Sequence, residues 1–178
     1  MSGDPVEAAL RSAIRDIPDH PKPGIIFKDI TPLLASSELY RQACERIAAP
    51  FRDEGISHVV SIESRGFLFG GPVALALGAG LVPVRKPGKL PFQTHREEYA
   101  LEYGTDALEV HEDAIFAGAR VLVVDDVLAT GGTAGATARL IRRLGGVVVG
   151  STFLIELAFL GGRDRLAGQR VASAIVYR

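Results

Sequence analysis

The chain has 178 residues, with 20 Lys and Arg against 21 Asp and Glu, a formal net charge of −1 and 47% hydrophobic residues. That length predicts one domain with a sizeable core, and a near-neutral balance of interspersed charges gives no electrostatic reason for a nucleic-acid or membrane partner. Cys44 alone cannot form an internal disulfide, and His20, His58, His95 and His111 are too scattered for a zinc site. With no basic-then-apolar leader and no long apolar run, the expected location is the cytoplasm.

Residues 5–17 place Val6, Leu10, Ala13, Ile14 and Ile17 at helical spacing, and the Pro- and Gly-rich run 18–24 stops them, which predicts one helix. Residues 25–34 are apolar but too punctuated by proline for a long strand. Leu39, Ala43, Ile47 and Phe51 predict a helix over 37–51, capped by Ser36 or Ser37 and disturbed at its end by Pro50. His58–Ile62 reads as a strand that delivers Glu63-Ser64-Arg65-Gly66 into a helix over 67–77, and residues 81–84 as a short strand leading into Arg85-Lys86-Pro87-Gly88-Lys89. Residues 90–99 show no period and read as a long loop, a candidate lid. Residues 100–104 and 106–111 then predict a hairpin in which Glu102, by spacing alone, is a solvated strand residue. Val147–Leu157 is a long apolar strand, 159–166 a turn or short helix, and 171–177 the last strand.

Between these lies the segment with most chemical content. The run Val121-Leu122-Val123-Val124 reads as a strand buried on both faces, with Asp125 and Asp126 at its carboxyl end. Thr130-Gly131-Gly132-Thr133 follows and opens a helix over 134–144. A bare Gly/Thr turn at a helix N-terminus presents unpaired N–H groups to an anion, while the upstream carboxylates accept hydrogen bonds from hydroxyls. A ligand with both features is a sugar phosphate. Nucleotide folds that place such an Asp on Mg²⁺ need G-x-x-x-x-G-K-[ST], which the chain lacks, and receiver domains carry their acidic pair near the start. A buried strand with a solvated acidic tip remains the structural alternative. If the strands are parallel, their carboxyl ends share one sheet edge, and the basic residues 85–89 arriving there imply a second, more highly charged phosphate group.

Val123-Val124-Asp125-Asp126-Val127-Leu128-Ala129-Thr130-Gly131-Gly132-Thr133 resembles the 5-phosphoribosyl 1-diphosphate signature of the type I phosphoribosyltransferases. Pro23-Gly24-Ile25-Ile26-Phe27-Lys28-Asp29-Ile30-Thr31-Pro32, Glu63-Ser64-Arg65-Gly66-Phe67-Leu68-Phe69-Gly70, Arg85-Lys86-Pro87-Gly88-Lys89-Leu90-Pro91 and Leu101-Glu102-Tyr103-Gly104 resemble the adenine branch of that family over nearly the whole chain. The resemblance implies a single α/β domain over 1–178: a mainly parallel sheet flanked by helices, an N-terminal hood over 1–34 and a flexible hairpin lid over 86–104. It implies transfer of phosphoribosyl to adenine, giving AMP and diphosphate with Mg²⁺, by a homodimer whose contact follows Gly66. The regulators of the superfamily that only bind the ligand, and the 6-oxopurine transferases, are the alternatives; the former would need an added DNA-binding segment or basic face.

Carried over residue by residue, Asp125 and Asp126 would hold the ribose hydroxyls, directly or through the ion's shell, with no dedicated protein ligand for Mg²⁺. Ala129, Thr130, Gly131, Gly132 and Thr133 would cradle the 5′-phosphate. Glu63, Ser64, Arg65 and Gly66 match the diphosphate loop, which in the family often contains a non-proline cis peptide, and Arg85, Lys86 and Lys89 would neutralise diphosphate. Ile26, Phe27 and Lys28 would meet the purine, Phe27 by stacking, with Lys28 standing where many relatives have Arg. Glu102 becomes the acid/base group near N7, joined in catalysis by Arg65 and Lys86. Glu156 is expected to be structural.

Overall fold

The computed structural model describes residues 4–100 and 104–178. Helix α1 (Pro5–Ser12) starts under Asp4, whose side chain accepts the Val6 N–H at 2.9 Å. It ends well before the predicted boundary at 17, because Arg15–Ile17 leaves to form β1, antiparallel to β2 (Phe27–Asp29). Lys28 Nζ meets Asp16 Oδ1 at 2.6 Å across this ribbon, and Arg15 Nε lies 3.8 Å from Asp29 Oδ2. A short α2 (Thr31–Ala35) leads into α3 (Ser37–Ala48), capped by Ser36, which accepts the Leu39 N–H at 3.4 Å. As expected, Pro50 turns the end of that helix into a 3-10 turn, Ala49–Phe51. Leu10, Ile14, Ile30 and Leu33 are buried in the same cluster as Ile47, Phe51, Val59 and Leu122, so the N-terminal segment shares the main core.

Strand β3 (His58–Ile62) feeds α4 (Gly66–Leu77), which returns to β4 (Gly80–Val84). The next element corrects the sequence reading. Residues 94–99, expected within a loop, belong to β5 (Thr94–Ala100), paired antiparallel with β6 (Thr105–His111). The predicted hairpin is therefore shifted, and most of its first arm, with Glu102, lies outside the described residues. Strand β7 (Arg120–Leu128) leads through α5 (Gly132–Arg143) to β8 (Val147–Leu157), then two 3-10 turns and β9 (Arg170–Tyr177).

The central sheet has five strands in the order β4-β3-β7-β8-β9, every neighbouring pair parallel. Alternate residues of β3 and β7 face opposite layers. Val59, Leu122 and Val124 pack toward α1, α3 and α4, whereas Val60, Val121 and Val123 pack toward the β5–β6 hairpin and α5. From β3 the chain winds outward to β4, and from β7 it winds the other way to β8 and β9. The switch point between β3 and β7 is where an open α/β sheet leaves a crevice at its strand ends.

Candidate active site

At that crevice β7 runs on through Asp125 and Asp126 to Leu128, so the acidic pair stands near the strand's carboxyl end, two residues short of it. The Asp126 N–H donates to Asp125 Oδ1 at 2.9 Å. Gly66, at the start of α4, packs directly on this pair: a Cβ there would stand 2.8 Å from Asp125 Oδ1 and 3.2 Å from the Val124 carbonyl oxygen. Only glycine lets the β3–α4 turn touch the acidic pair so closely. In the same turn the Glu63–Ser64 peptide is cis, as the resemblance implied.

Asp126 is 5% exposed, and Arg65 Nε lies 2.7 Å from its Oδ2 as an ion pair, although that oxygen has no hydrogen-bond partner among the described residues. Burial, joined at Asp125 by the neighbouring carboxylate, pushes both carboxyls above their usual range; at Asp126 the Arg65 charge opposes it. A half-buried Asp125 beside a buried Asp126 whose Oδ2 lacks a hydrogen-bond partner among the described residues suits hydroxyl ligands or the water shell of a cation. No cluster of three or more metal-ligating side chains occurs among the described residues.

Downstream, Gly131 (φ 78°) is the N-cap of α5, and no side chain among the described residues caps that helix. Its first-turn N–H groups therefore face a cavity of about 60 Å³ lined by Asp125, residues 127–129, Thr130, Gly131, Gly132 and Thr133. The 3-10 turn Gly162–Leu166 buttresses this loop from behind. A Cβ on Gly131 would lie 3.2 Å from Arg165 Cβ, and one on Gly162 would collide with the Ala129 carbonyl. Glu156 anchors the turn, accepting from Arg163 Nε at 2.6 Å, Arg163 Nη2 at 2.7 Å and Ser173 Oγ at 2.7 Å. The structural role expected for Glu156 is thus the one it has.

A cavity of about 380 Å³ joins these parts. Glu63, Ser64 and Arg65 line it from one side, Asp125, Asp126, Ala129 and Thr133 from another, and Lys86 and Tyr99 at the hairpin. Its cations are already engaged. Arg85, itself outside the lining, donates twice from its guanidinium to Glu63, at 3.2 Å each, while the Lys86 N–H donates to Glu63 Oε2 at 2.9 Å. Burial favours a neutral Glu63, but these donors outweigh it and hold the carboxyl below its usual range. Lys86 Nζ pairs with Asp106 and lies 3.3 Å from Tyr99 Oη. Burial disfavours the ammonium, yet both partners outweigh it and raise its pKa. Lys89 is exposed and outside this cavity's lining. Tyr99 and Asp106 were missed in the sequence: they are cross-strand partners in the hairpin, and only its register shows it.

The residues expected to meet the purine divide between two places. Ile26 and Lys28 line a second cavity of about 450 Å³ with Leu157, Phe159, Leu160 and Tyr177. Its apolar lining suits a flat heterocycle, and Leu157, seen in the sequence only as the end of a strand, is part of it. Phe27 is outside that lining. The Arg65 guanidinium lies 4.9 Å from the centre of its ring, and His20 meets it edge-on at 5.1 Å. Lys28 sits 4.0 Å over the Tyr177 ring while pairing with Asp16.

An uncapped helix N-terminus, an acidic pair and several cations meet at one switch point, and the phosphoribosyl transferase domain family matches residues 34–178, which places the chain among the phosphoribosyltransferases. The adenine phosphoribosyltransferase of Myxococcus xanthus is 58% identical over 170 residues, 96% of this chain and 92% of that protein. The crystal structure of the Thermoanaerobacter pseudethanolicus adenine phosphoribosyltransferase superposes with a TM-score of 0.94 at 50% identity, covering 96% of this chain and 99% of that one. The Saccharomyces cerevisiae adenine phosphoribosyltransferase, solved with an imino-altritol bisphosphate and adenine, superposes at 0.90 with 38% identity, covering 96% and 98%. The chain belongs to the adenine phosphoribosyltransferase family.

Proposed function

We propose that the chain transfers phosphoribosyl from 5-phosphoribosyl 1-diphosphate to adenine, giving AMP and diphosphate. The observation that carries this reading is the meeting of the uncapped α5 N-terminus, the Asp125–Asp126 pair and the cations Arg65 and Lys86 around one cavity. The α5 loop from Ala129 to Thr133 binds the 5′-phosphate, and Asp125 and Asp126 bind the ribose hydroxyls. Ser64, Arg65, Gly66, Arg85, Lys86 and Lys89 serve the diphosphate. Adenine stacks on Phe27 once Arg65 turns to the diphosphate, and the backbone of Ile26 and Lys28, toward the apolar cavity, reads its edge.

In the reaction a ring nitrogen of the purine bonds to the anomeric carbon as the bond to diphosphate breaks. Positive charge grows on the ribose, which the acidic pair stabilises, and negative charge grows on the leaving group, which Arg65 and Lys86 stabilise. The purine proton passes to Glu102, a general acid/base group worth a factor of about 10²–10⁴. Mg²⁺ fits the acidic pair, with its under-satisfied Asp126 oxygen, and would be held mainly by the substrate and water, supplying further charge neutralisation to the diphosphate. Exposed Leu68, Leu75 and Leu81 on and beside α4 support a homodimer across that face. Among the described residues no helix is long and apolar enough to cross a membrane, and we place the enzyme in the cytoplasm.

The test is diphosphate release with Mg²⁺, phosphoribosyl diphosphate and each of adenine, guanine, hypoxanthine and xanthine. Turnover with adenine alone, abolished in Asp125→Asn/Asp126→Asn, is the expected result. Turnover with an oxopurine would move the specificity, and tight substrate binding without turnover would make the chain a regulator.

A further inference from the structure

The backbone before the diphosphate cavity is firmly held. Arg85 and Glu109 exchange backbone hydrogen bonds at 2.9 and 2.8 Å, and the Lys86 N–H is taken by Glu63. The Lys86 ammonium, however, ends a flexible four-carbon stem with rotatable donors that fixes no direction by itself. Its direction comes from the hairpin. Tyr99 and Asp106 face one another across β5 and β6; Lys86 Nζ donates to Asp106 Oδ2 and to Tyr99 Oη at 3.3 Å, and the Tyr99 hydroxyl donates to the same Oδ2 at 3.2 Å. The carboxylate is held further by the Ala107 N–H, which donates to its Oδ1 at 2.8 Å. Two of the three ammonium donors are thereby used, and the third is left for a ligand in the cavity that Lys86 and Tyr99 line.

We propose that Asp106, assisted by Tyr99, is a positioning residue that aims the Lys86 ammonium at the diphosphate, so that the hairpin sets the geometry of the leaving-group side of the site. Asp106 is outside the cavity's lining and acts through Lys86. The inference rests on the reading of this cavity as the diphosphate site. It runs against the simpler idea that Asp106 merely neutralises Lys86, in which case its removal would free the cation and tighten binding.

The experiment compares the wild type, Asp106→Asn, Lys86→Met and the double variant. Calorimetry with inorganic diphosphate and Mg²⁺ gives binding without turnover, and steady-state kinetics give KM for phosphoribosyl diphosphate and for adenine. Loss of a charged hydrogen bond that orients the lysine weakens diphosphate binding about tenfold in Asp106→Asn and raises KM for phosphoribosyl diphosphate in parallel, while KM for adenine stays within about twofold. In the Lys86→Met background the same substitution costs less than about threefold, since nothing remains to be aimed. Unchanged or tighter binding in Asp106→Asn, or an equal loss in both backgrounds, overturns the proposal. A wild type that binds diphosphate with this coupling but turns over no base refutes the assigned reaction and leaves the positioning role standing.

Discussion

Replacing Gly162 by alanine tests whether the 3-10 turn behind the phosphate loop shapes that loop. A Cβ at Gly162 would lie 3.0 Å from Leu128 Cδ1 and 3.1 Å from the Ala129 carbonyl carbon, and closer still to the Ala129 oxygen. Carbon atoms pack comfortably at about 3.5–4.0 Å, and the still shorter approach to the Ala129 oxygen sets the larger displacement, so the loop or the turn has to retreat by about 1 Å or more. Overpacking on this scale costs about 1–3 kcal/mol. For a domain of this size that lowers Tm by about 3–10 °C. The retreat also moves Ala129 and Thr130, whose backbone frames the phosphate cavity. A misplacement near 1 Å can cost up to about a hundredfold where positioning matters, so calorimetric affinity for phosphoribosyl diphosphate should fall by at least about tenfold, with AMP weakened alongside and adenine alone unchanged. A lower Tm with full affinity for phosphoribosyl diphosphate would refute the reasoning, because the turn would then be packing without shaping the site.

Two further perturbations bear on charge. Asp125→Asn should raise the Tm of the ligand-free protein while abolishing turnover. The folded-state pKa of Asp125 is raised by burial and by Asp126, so the wild type is destabilised as pH climbs above the unfolded value of about 3.9; melting curves from acid to neutral pH should show the variant's advantage growing with pH and disappearing in acid, and a flat difference would be contrary evidence. Glu156→Gln should lower Tm by an amount equivalent to about 1–2 kcal/mol, less than for a fully buried pair because Arg163 is half exposed. The pKa of Glu156 is depressed by Arg163 and, against burial, by Ser173, so the wild-type advantage is present above the unfolded value of about 4.3 and is lost as pH falls through the lower folded value.

The sequence was most legible where physics is local. Val147–Leu157 reads as a strand because most of it is covered on both faces and mostly apolar, with Ser151, Thr152 and Glu156 as the polar exceptions, and Pro50 and Ser36 bound α3 by their own chemistry. It was least legible where polarity is satisfied at a distance. In β5, residues 95–99 alternate between partly buried and exposed positions, but the inward-facing Glu97 is polar. It is accommodated by Arg139 Nε at 2.6 Å and Arg143 Nη1 at 3.3 Å, both on α5, so the strand's period is invisible in residue type. The short β1 was hidden for a related reason, since Arg15 and Asp16 are balanced by Asp29 and Lys28 from later in the chain. At the site, the acidic pair and glycine turn could be read directly, whereas the engagement of Arg65 with Phe27 and of Lys86 with Asp106 depends on which strand ends meet.

That engagement changes what kind of event substrate capture is. With Arg65 on Asp126 and Arg85 on Glu63, the resting crevice works as an ion exchanger already loaded with its own carboxylates, while Lys86 keeps Asp106 and presents its remaining donor. An incoming diphosphate swaps one anionic partner for another, so the gain in Coulomb energy is the difference between two pairings, and the ionic-strength dependence is shallower than for a bare cationic groove. The swap also has a direction. Under the proposed assignment, a change of partner by Arg65 would release Asp126 beside Asp125 and free the two carboxylates for the ribose hydroxyls as the phosphates arrive.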